Sequence, residues 1–583
     1  MPAAIGDHAL LADGRTAALV DLEGNIAWLC WPRVDSMPCL LSLLDAQRGG
    51  RFSMRPRAGD AQIIDRAYVN GSLVLRTVWD VHGSHLVVDE ALAWRGAQRL
   101  VRTARCDDGA VDITIRFAPA FDAGRLDARI ELAGHTVRAS ARGIRLALLS
   151  SSTWMAAGSG EVQSHTTVVP GSPATLALCQ PEDLAAPPAE SVIADSLASW
   201  AALRPDLAAL RLSPLAERTL GKTVACELLA VSASVLLGLR QRTGGIVAAP
   251  TTSLPQWPGS SRTWDYRYCW LRDSSLAANA LTRLGMPQPA QELGAFIGDV
   301  AMADGPRALV RVDGGPAPEE RVLDHLRGFG GAAPVRVGNA AADQPQLDVC
   351  GEVIELASAL ASSDALPDSL RRAVPGLADW AVRHWREPDH GIWEIRGPRH
   401  HYTHSRLLAW YGLREAVALA GRGVVAGDSP AWEGCARSIQ DAILRSADAT
   451  GALQLHAYGC GADAALALVP LLGLLPPEDP RVGATLDMIT GRLARNGLID
   501  RYQGRPDELD DACGPFLFPT HWTAMALEAC GRDGAALFAA AAAARGSTGL
   551  FAEVASPEDG SPLGNYPQVQ SHASFILAAV DPS

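Results

Sequence analysis

Thr223-Val-Ala-Cys-Glu-Leu-Leu-Ala-Val-Ser-Ala-Ser-Val-Leu-Leu-Gly-Leu-Arg-Gln-Arg242 is apolar over most of a helical circumference. A helix of that kind is buried on more than one side. It is the first of about twelve helical patterns. The others fall at residues 274–284, 289–302, 347–363, 369–386, 406–420, 430–447, 462–475, 481–496, 516–530, 533–545 and 570–580. Almost no strand-like alternation interrupts them, and no strict repeat of 20–50 residues is present, which argues against a regular solenoid. Twelve helices with long glycine- and proline-rich connections predict six helical hairpins closed into a toroid, an (α/α)6 barrel, with the loops over one mouth. An open helical array is the alternative, since periodicity does not demand closure.

Before about residue 200 the period is two. Tyr68-Val-Asn-Gly-Ser-Leu-Val-Leu-Arg-Thr-Val-Trp79, Ala110-Val-Asp-Ile-Thr-Ile-Arg-Phe117 and Leu126-Asp-Ala-Arg-Ile-Glu-Leu132 alternate apolar and polar side chains. Turn signals at Asp107-Asp108-Gly109 and Ala133-Gly134 separate such runs. An α+β chain is expected: an antiparallel β-sandwich over residues 1–200, a linker helix region over 201–222 and the helical domain over 223–583.

The 583 residues are 48% hydrophobic and 20% charged, with a formal net charge of −13. That balance disfavours a nucleic-acid surface, which needs a positive field, and an anionic membrane surface. Lys222 is the sole lysine, so Schiff-base chemistry would have to use it. Gly221-Lys222-Thr223 lacks the upstream glycine of a phosphate loop, where Ala216 stands, and reads as a helix start. The eleven cysteines form no C-x-x-C pair, which disfavours a disulfide framework or a cysteine zinc site. No signal peptide is evident at the N-terminus and no uninterrupted apolar window reaches ~18 residues. A soluble cytoplasmic protein is the expectation.

Three loops combine tryptophan, tyrosine, arginine and carboxylates, a composition suited to a sugar: rings pack on C–H faces, planar groups fix hydroxyls, and carboxylates do acid–base work. The first is Ser261-Arg-Thr-Trp-Asp-Tyr-Arg-Tyr-Cys-Trp-Leu-Arg-Asp-Ser274. It offers Trp264, Asp265, Arg267, Arg272 and Asp273, the last of which could instead cap a helix. The second, Asp389-His-Gly-Ile-Trp-Glu-Ile-Arg-Gly397, sets Glu394 beside Trp393 and between Ile392 and Ile395. Burial there would raise the carboxyl pKa and suit a general acid; pairing with Arg396 or Arg399 is the alternative. His400 and His404 have metal-ligand spacing if helical, but the segment precedes its helix and no third ligand is evident. The third loop, Gly549-Leu-Phe-Ala-Glu-Val-Ala-Ser556, sets Glu553 among apolar residues and leads to Gly564-Asn-Tyr-Pro-Gln568. No G-x-S-x-G elbow supports a serine nucleophile.

Gly245-Ile-Val-Ala-Ala-Pro-Thr-Thr-Ser-Leu-Pro255, Trp264-Asp-Tyr-Arg-Tyr-Cys-Trp-Leu-Arg-Asp273, Gly391-Ile-Trp-Glu-Ile-Arg-Gly397 and Gly564-Asn-Tyr-Pro-Gln568 resemble glycoside hydrolase family 15, which contains glucoamylases and bacterial trehalases. Ile5-Gly-Asp7 and Asn25-Ile-Ala-Trp-Leu-Cys-Trp-Pro-Arg-Val-Asp-Ser36 resemble the trehalase-like N-terminal domain of its bacterial members. The resemblance implies a β-sandwich followed by an (α/α)6 barrel, and an exo-acting, inverting hydrolase that frees glucose from a non-reducing end. It implies Glu394 as general acid, Glu553 as general base, and Arg272 and Asp273 as the pair binding the terminal glucose. Trp264, Asp265, Arg267 and Trp393 are expected to line the same pocket. It implies a small saccharide as partner, a homo-oligomer, and no required cofactor, although phosphate and magnesium help some trehalases of the family.

Two departures stand out. Gln256 follows Pro255 where many bacterial members have glutamate, and Cys513-Gly-Pro-Phe516 replaces the usual Glu-Gly-Ala-Phe. Thr263 also stands where Asn is common. Trehalose is the expected substrate; malto- or isomalto-oligosaccharides are the alternative. A non-catalytic sugar-binding protein on the same scaffold would be expected to have lost one carboxylate.

Overall fold

The computed structural model describes residues 3–582 apart from 185–188, 458, 460, 505, 506, 508 and 510. Its N-terminal part is a set of antiparallel sheets. An eight-stranded sheet runs from Gln62–Tyr68 at one edge, through Leu75–Val81, Ser84–Leu92, Arg99–Cys106, Ala174–Cys179, Ile144–Ser150 and Thr136–Ala141, to Arg129–Ala133 at the other. A four-stranded sheet of Met155–Gly158, Glu161–Val168, Val111–Ala118 and Arg51–Pro56 packs over it. A second four-stranded sheet holds Ala9–Ala12, Ala17–Val20, Ile26–Cys30 and Pro38–Leu40. Phe52, Ile113, Ile115, Phe117, Leu86, Leu100, Leu148 and Leu178 form one buried core between the layers. Along Val111–Ala118 every second residue is buried, the signature of a strand with one face on a core.

One expectation needs correction here. Tyr68–Trp79 is not a single strand: Val69–Gly71 is a turn, with Asn70 at φ 51°, and residues 62–68 pair back on 75–81. The Asn-Gly dipeptide supplies the positive φ values, and it outweighs the alternation around it.

The helical part holds, among the described residues, twelve helices: α1 (Pro214–Leu239), α2 (Leu271–Arg283), α3 (Pro287–Asp304), α4 (Asp348–Ser362), α5 (Asp368–His384), α6 (Thr403–Gly421), α7 (Ser429–Leu444), α8 (Leu468–Leu471, continuing a 3-10 turn at Ala464–Ala467), α9 (Pro480–Leu493), α10 (Leu517–Ala529), α11 (Ala535–Ala543) and α12 (Val569–Ala579). The even-numbered helices form the inner ring. α2 packs on α4, α4 on α6, α6 on the 3-10 turn before α8, that turn and α8 on α10, α10 on α12, and α12 back on α2. The ring therefore closes. The odd-numbered helices lie outside it. An inner helix has neighbours on both sides and behind, which is why α10 and α12 are buried around most of their circumference.

α1 begins at Pro214, capped by the Ser213 hydroxyl on the Ala216 N–H, and kinks at Gly221 (φ 71°). Lys222 lies on its exposed surface just after the kink. The region expected as linker at 201–222 thus holds the end of a helix (Ala189–Leu203) and the first turns of α1. α1 is long and apolar enough, by length and composition, to cross a membrane. Its second half is buried against α12, α11 and the strand Ala9–Ala12. The helix expected over 462–475 is mostly the 3-10 turn and the four residues of α8.

The sandwich braces the loops at the barrel mouth. The Trp28 indole Nε1 donates to the Pro250 carbonyl at 2.8 Å. Arg267 forms a fork on Asp265 (Nε to Oδ1 2.9 Å, Nη2 to Oδ2 2.7 Å) and its third nitrogen donates to the Ser36 carbonyl at 2.7 Å. Both side chains are fully buried. Breaking a buried pair costs far more than the pair contributes, because one charge is left in a low-dielectric interior. Arg267→Met is expected to lower stability by about 3–5 kcal/mol, read from urea unfolding followed by tryptophan fluorescence. A loss under about 1 kcal/mol would show that the clamp is dispensable.

Candidate active site

The extended segment 264–270 decides which side chains reach the barrel mouth. It runs beside residues 248–253: the Ala248 N–H donates to the Tyr268 carbonyl, Ala249 to Tyr266, and Ser253 to Trp264. In an extended chain successive side chains point to opposite faces. Tyr266 and Trp270 line a cavity at the centre of the mouth, together with Arg272, Asp273, Ile392, Trp393, Glu394, Arg501, Phe516, Phe518, Glu553, Gln568 and Gln570. Asp265 and Arg267 point the other way, into the clamp on the sandwich. This corrects the expectation that they line the pocket. Trp264 lines an adjoining outer chamber that shares Tyr266, Trp393, Glu394 and Arg501 with the first. There its ring lies between two guanidinium groups, Arg396 at 3.9 Å and Arg336 at 4.5 Å.

Glu394 rides on a tight loop. Asp389 fixes the loop's start by accepting the Leu347 N–H at 3.0 Å and pairing with His400 through the backbone. Gly391 adopts φ 67°, and a Cβ there would meet the Tyr402 ring at 2.9 Å, so glycine is required. The turn leaves Glu394 itself at φ 54°, a left-handed conformation that a β-carbon makes unfavourable. Such strain persists where the surroundings impose it, commonly at working sites. The carboxylate is not sealed among Ile392 and Ile395 as expected. Its side chain is 20% exposed. Three donors converge on one of its oxygens, Oε1: Trp270 Nε1 at 2.5 Å, Arg272 Nη2 at 3.2 Å and Gln346 Nε2 at 3.4 Å. No donor among the described residues reaches Oε2. Nor does it pair with Arg396 or Arg399: Arg396 holds Glu320 and Arg399 contacts His390.

Glu553 is held differently. Its carbonyl accepts the Leu517 N–H at the start of α10, and its neighbour Phe551 is bonded to Gln568 and His572 of the α12 region. Its side chain is buried, and both oxygens are engaged. Tyr266 Oη donates to Oε1 at 2.7 Å and Gln256 Nε2 to Oε2 at 2.8 Å. Burial pushes its pKa up to about 7; the two donors and Arg501 oppose the shift, and Asp273 adds to it. Tyr266, which bonds Glu553, and Trp270, which bonds Glu394, have ring centroids 5.5 Å apart, and the two carboxylates share no hydrogen bond.

Arg272 and Asp273 lie in the first turn of α2, both buried, 3.4 Å apart. Asp273 does not cap the helix: the N-cap is Trp270, without a side-chain bond. Burial raises Asp273 to about 6, with Arg272 pulling it down and Glu394 pushing it up. Beyond their mutual ion pair, Asp273 Oδ2 and Arg272 Nε have no hydrogen-bond partner, an arrangement suited to a hydroxylated ligand. Trp393 packs on Phe518 at 5.6 Å and its Nε1 donates to Asp463 at 2.9 Å, so its ring is fixed as a cavity wall.

His400 stacks on His456 at 4.3 Å before α6 begins, whereas His404 is buried within α6, where burial lowers its pKa to about 3. Among the described residues no group of three or more His, Cys, Asp or Glu could hold a metal ion. Sequence reasoning did not single out Trp270, Arg501, Phe516, Phe518 or Gln570. The two-residue alternation of 264–270 could have separated Tyr266 and Trp270 from Asp265 and Arg267. The others come from distant loops and from the first turns of α10 (Phe518) and α12 (Gln570), with no local signal.

A toroid of helices with two separated carboxylates, aromatic walls and an Arg–Asp pair at its mouth defines a glycoside hydrolase. Residues 224–580 match the model of glycosyl hydrolases family 15, and residues 1–186 match that of a trehalase-like N-terminal domain. The chain belongs to glycosyl hydrolases family 15. It is 32% identical to a trehalase of Mycolicibacterium smegmatis over 99% of this chain and 91% of the relative. It is 29% identical to trehalase 2 of Sulfolobus acidocaldarius over 99% of both. The crystal structure of a bacterial glucoamylase complexed with acarbose superposes with a TM-score of 0.72 at 14% identity, covering 99% of this chain and 94% of that one. That likeness confirms the barrel-and-sandwich fold.

The left-handed backbone of Glu394 has a measurable consequence. Glu394→Gly is expected to be more stable than Glu394→Ala by about 1 kcal/mol, because only glycine adopts φ 54° without strain. Thermal melts of the two variants compare them directly; equal stability would mean that the turn carries no strain.

Proposed function

We propose that the protein is an inverting, exo-acting α-glucoside hydrolase that releases glucose from a non-reducing end, with α,α-trehalose as substrate. The observation that carries the roles is the unequal engagement of the two carboxylates. Oε1 of Glu394 accepts every donor that reaches the group, so it behaves as the carbonyl oxygen of an acid. Oε2 is then the place for a proton, at the wall of the cavity. Both oxygens of Glu553 accept donors, the pattern of a carboxylate.

In this reading Glu394 gives its Oε2 proton to the glycosidic oxygen as the bond to C1 lengthens. Glu553 takes a proton from a water on the far face of the ring, and that water attacks C1. Arg272 and Asp273 bind hydroxyls of the terminal glucose, whose C1 is attacked, and Trp393 supports its ring. A base whose pKa lies near 7 works efficiently near neutrality. Trehalose is favoured because relatives named trehalase align along nearly the whole chain, sandwich included.

Four measurements test this. Glu394→Gln and Glu553→Gln are each expected to lower kcat on trehalose at least a hundredfold without loss of fold; near-normal turnover in either rejects its role. Inversion of α,α-trehalose yields one β-glucose and one α-glucose per bond, so early NMR spectra should show equal amounts; two α-anomers would indicate retention. A chain that turns over maltose or isomaltose much faster than trehalose has the alternative specificity. Finally, Glu553 must be ionised, so kcat/KM should fall as pH drops through about 7. The slope should steepen below about 6, where Asp273 also takes a proton.

A further inference from the structure

Two of the positions at which the sequence departs from the family pattern, 256 and 513, meet behind Glu553. Gln256, 2% exposed, follows the extended strip 248–255. Its backbone is fixed on both sides, the N–H donating to the Arg262 carbonyl at 3.1 Å and the carbonyl accepting from Gly514 at 3.1 Å. Its side-chain Nε2 donates to Glu553 Oε2 at 2.8 Å, and its Oε1 lies 3.5 Å from the Cys513 thiol, whose proton is shared with the Gly514 carbonyl at 3.4 Å. From this geometry we infer that Gln256 is the positioning residue that commits Glu553 to the role of base, with the Cys513 thiol fixing which way its amide faces.

The argument rests on donor and acceptor capacity. A hydroxyl such as that of Tyr266 donates to a carboxylate and equally accepts from a carboxylic acid, so it follows whichever form is present. An amide NH2 only donates. As long as Nε2 faces Oε2, a proton on that oxygen has no acceptor and the ionised form is favoured. The amide could escape by turning over and presenting Oε1, which accepts from a protonated carboxyl. The Cys513 S–H opposes this, because the turned amide would set NH2 against a thiol that is a far weaker acceptor than the carbonyl oxygen it replaces. Glutamate at position 256 would place two carboxyls 2.8 Å apart, a pair that cannot both ionise and that shares one proton. Glutamine removes that sharing and leaves Glu553 to titrate alone.

The other groups facing Glu553 are Tyr266 from the 264–270 strip, Arg501, Asp273 from α2 and, across the cavity, Glu394. They are unchanged in the variants below, so a shift in titration reports on Gln256. The inference depends on Glu553 being the base. If Glu553→Gln retains near-normal turnover, that assignment fails first and the present one falls with it.

The test is the acid limb of kcat/KM against pH, on trehalose or on whichever α-glucoside proves to be the substrate. In Gln256→Met the donor is lost and in Gln256→Glu a proton is shared. Both raise the pKa of Glu553, so the limb should move to higher pH by about one unit. At one pH unit below the wild-type limb this is about a tenfold loss, recovered on the alkaline side of the limb. Cys513→Val should move the limb the same way by a smaller amount, and Cys513→Ser, which keeps a donor, should restore it. Circular dichroism melts identify any variant that does not fold. A purely structural role predicts lower rates at every pH with the limb in place. Coincident limbs in folded Gln256→Met and wild-type enzyme, with Glu553→Gln inactive, would overturn this inference and leave the proposed function standing.

Discussion

In the proposed mechanism the acid and base roles follow from which carboxylate oxygens the surrounding donors occupy, and the closed ring of helices is what brings those donors into place. At Glu394 the donors gather on Oε1; at Glu553 they are shared between Oε1 and Oε2. The donors themselves come from loops widely separated in the chain. Trp270 and Arg272 precede Glu394 by more than a hundred residues, and Gln256 and Tyr266 precede Glu553 by nearly three hundred. Only a closed ring brings such partners together, so the helix-on-helix packing that joins α12 to α2 is as much a part of the chemistry as the glutamates.

The strip 264–270 divides labour between chemistry and scaffold by its geometry alone. One face supplies Tyr266, which donates a hydrogen bond to Glu553, and Trp270, which donates one to Glu394. The other supplies the Asp265–Arg267 fork, which reaches the Ser36 carbonyl and anchors the mouth to the sandwich. The same backbone thus links the β-domain to the two cavity carboxylates. A buried ion pair adds little net stability but is costly to break, which suits a joint that must not drift.

Much of this was legible in the sequence. The change from period two to period 3.6 near residue 200 marked the two parts, and the count of helical patterns matched the six inner and six outer helices. The aromatic and charged loops meet at the barrel mouth, where Glu394, Glu553, Arg272, Asp273 and Trp393 line one cavity. What misled were local signals with two readings. The alternation across 68–79 concealed an Asn-Gly turn. The apolar neighbours of Glu394 suggested a buried carboxyl, whereas the positive φ of the turn leaves it partly exposed and bonded to Arg272. The density of the 261–274 segment drew Asp265 and Arg267 into the pocket, although their parity in an extended chain sends them to the other side.

By itself the sequence determined the kinds of element, their order and the residue types available for catalysis, because periodicity and turn chemistry are local properties of a chain. The tertiary structure alone decided that the ring closes, that the odd-numbered residues of the 264–270 strip brace the sandwich, and that Gln256 and Cys513 meet behind Glu553. Those outcomes depend on contacts between residues hundreds of positions apart, and no local pattern encodes which of a carboxylate's oxygens a distant donor will find.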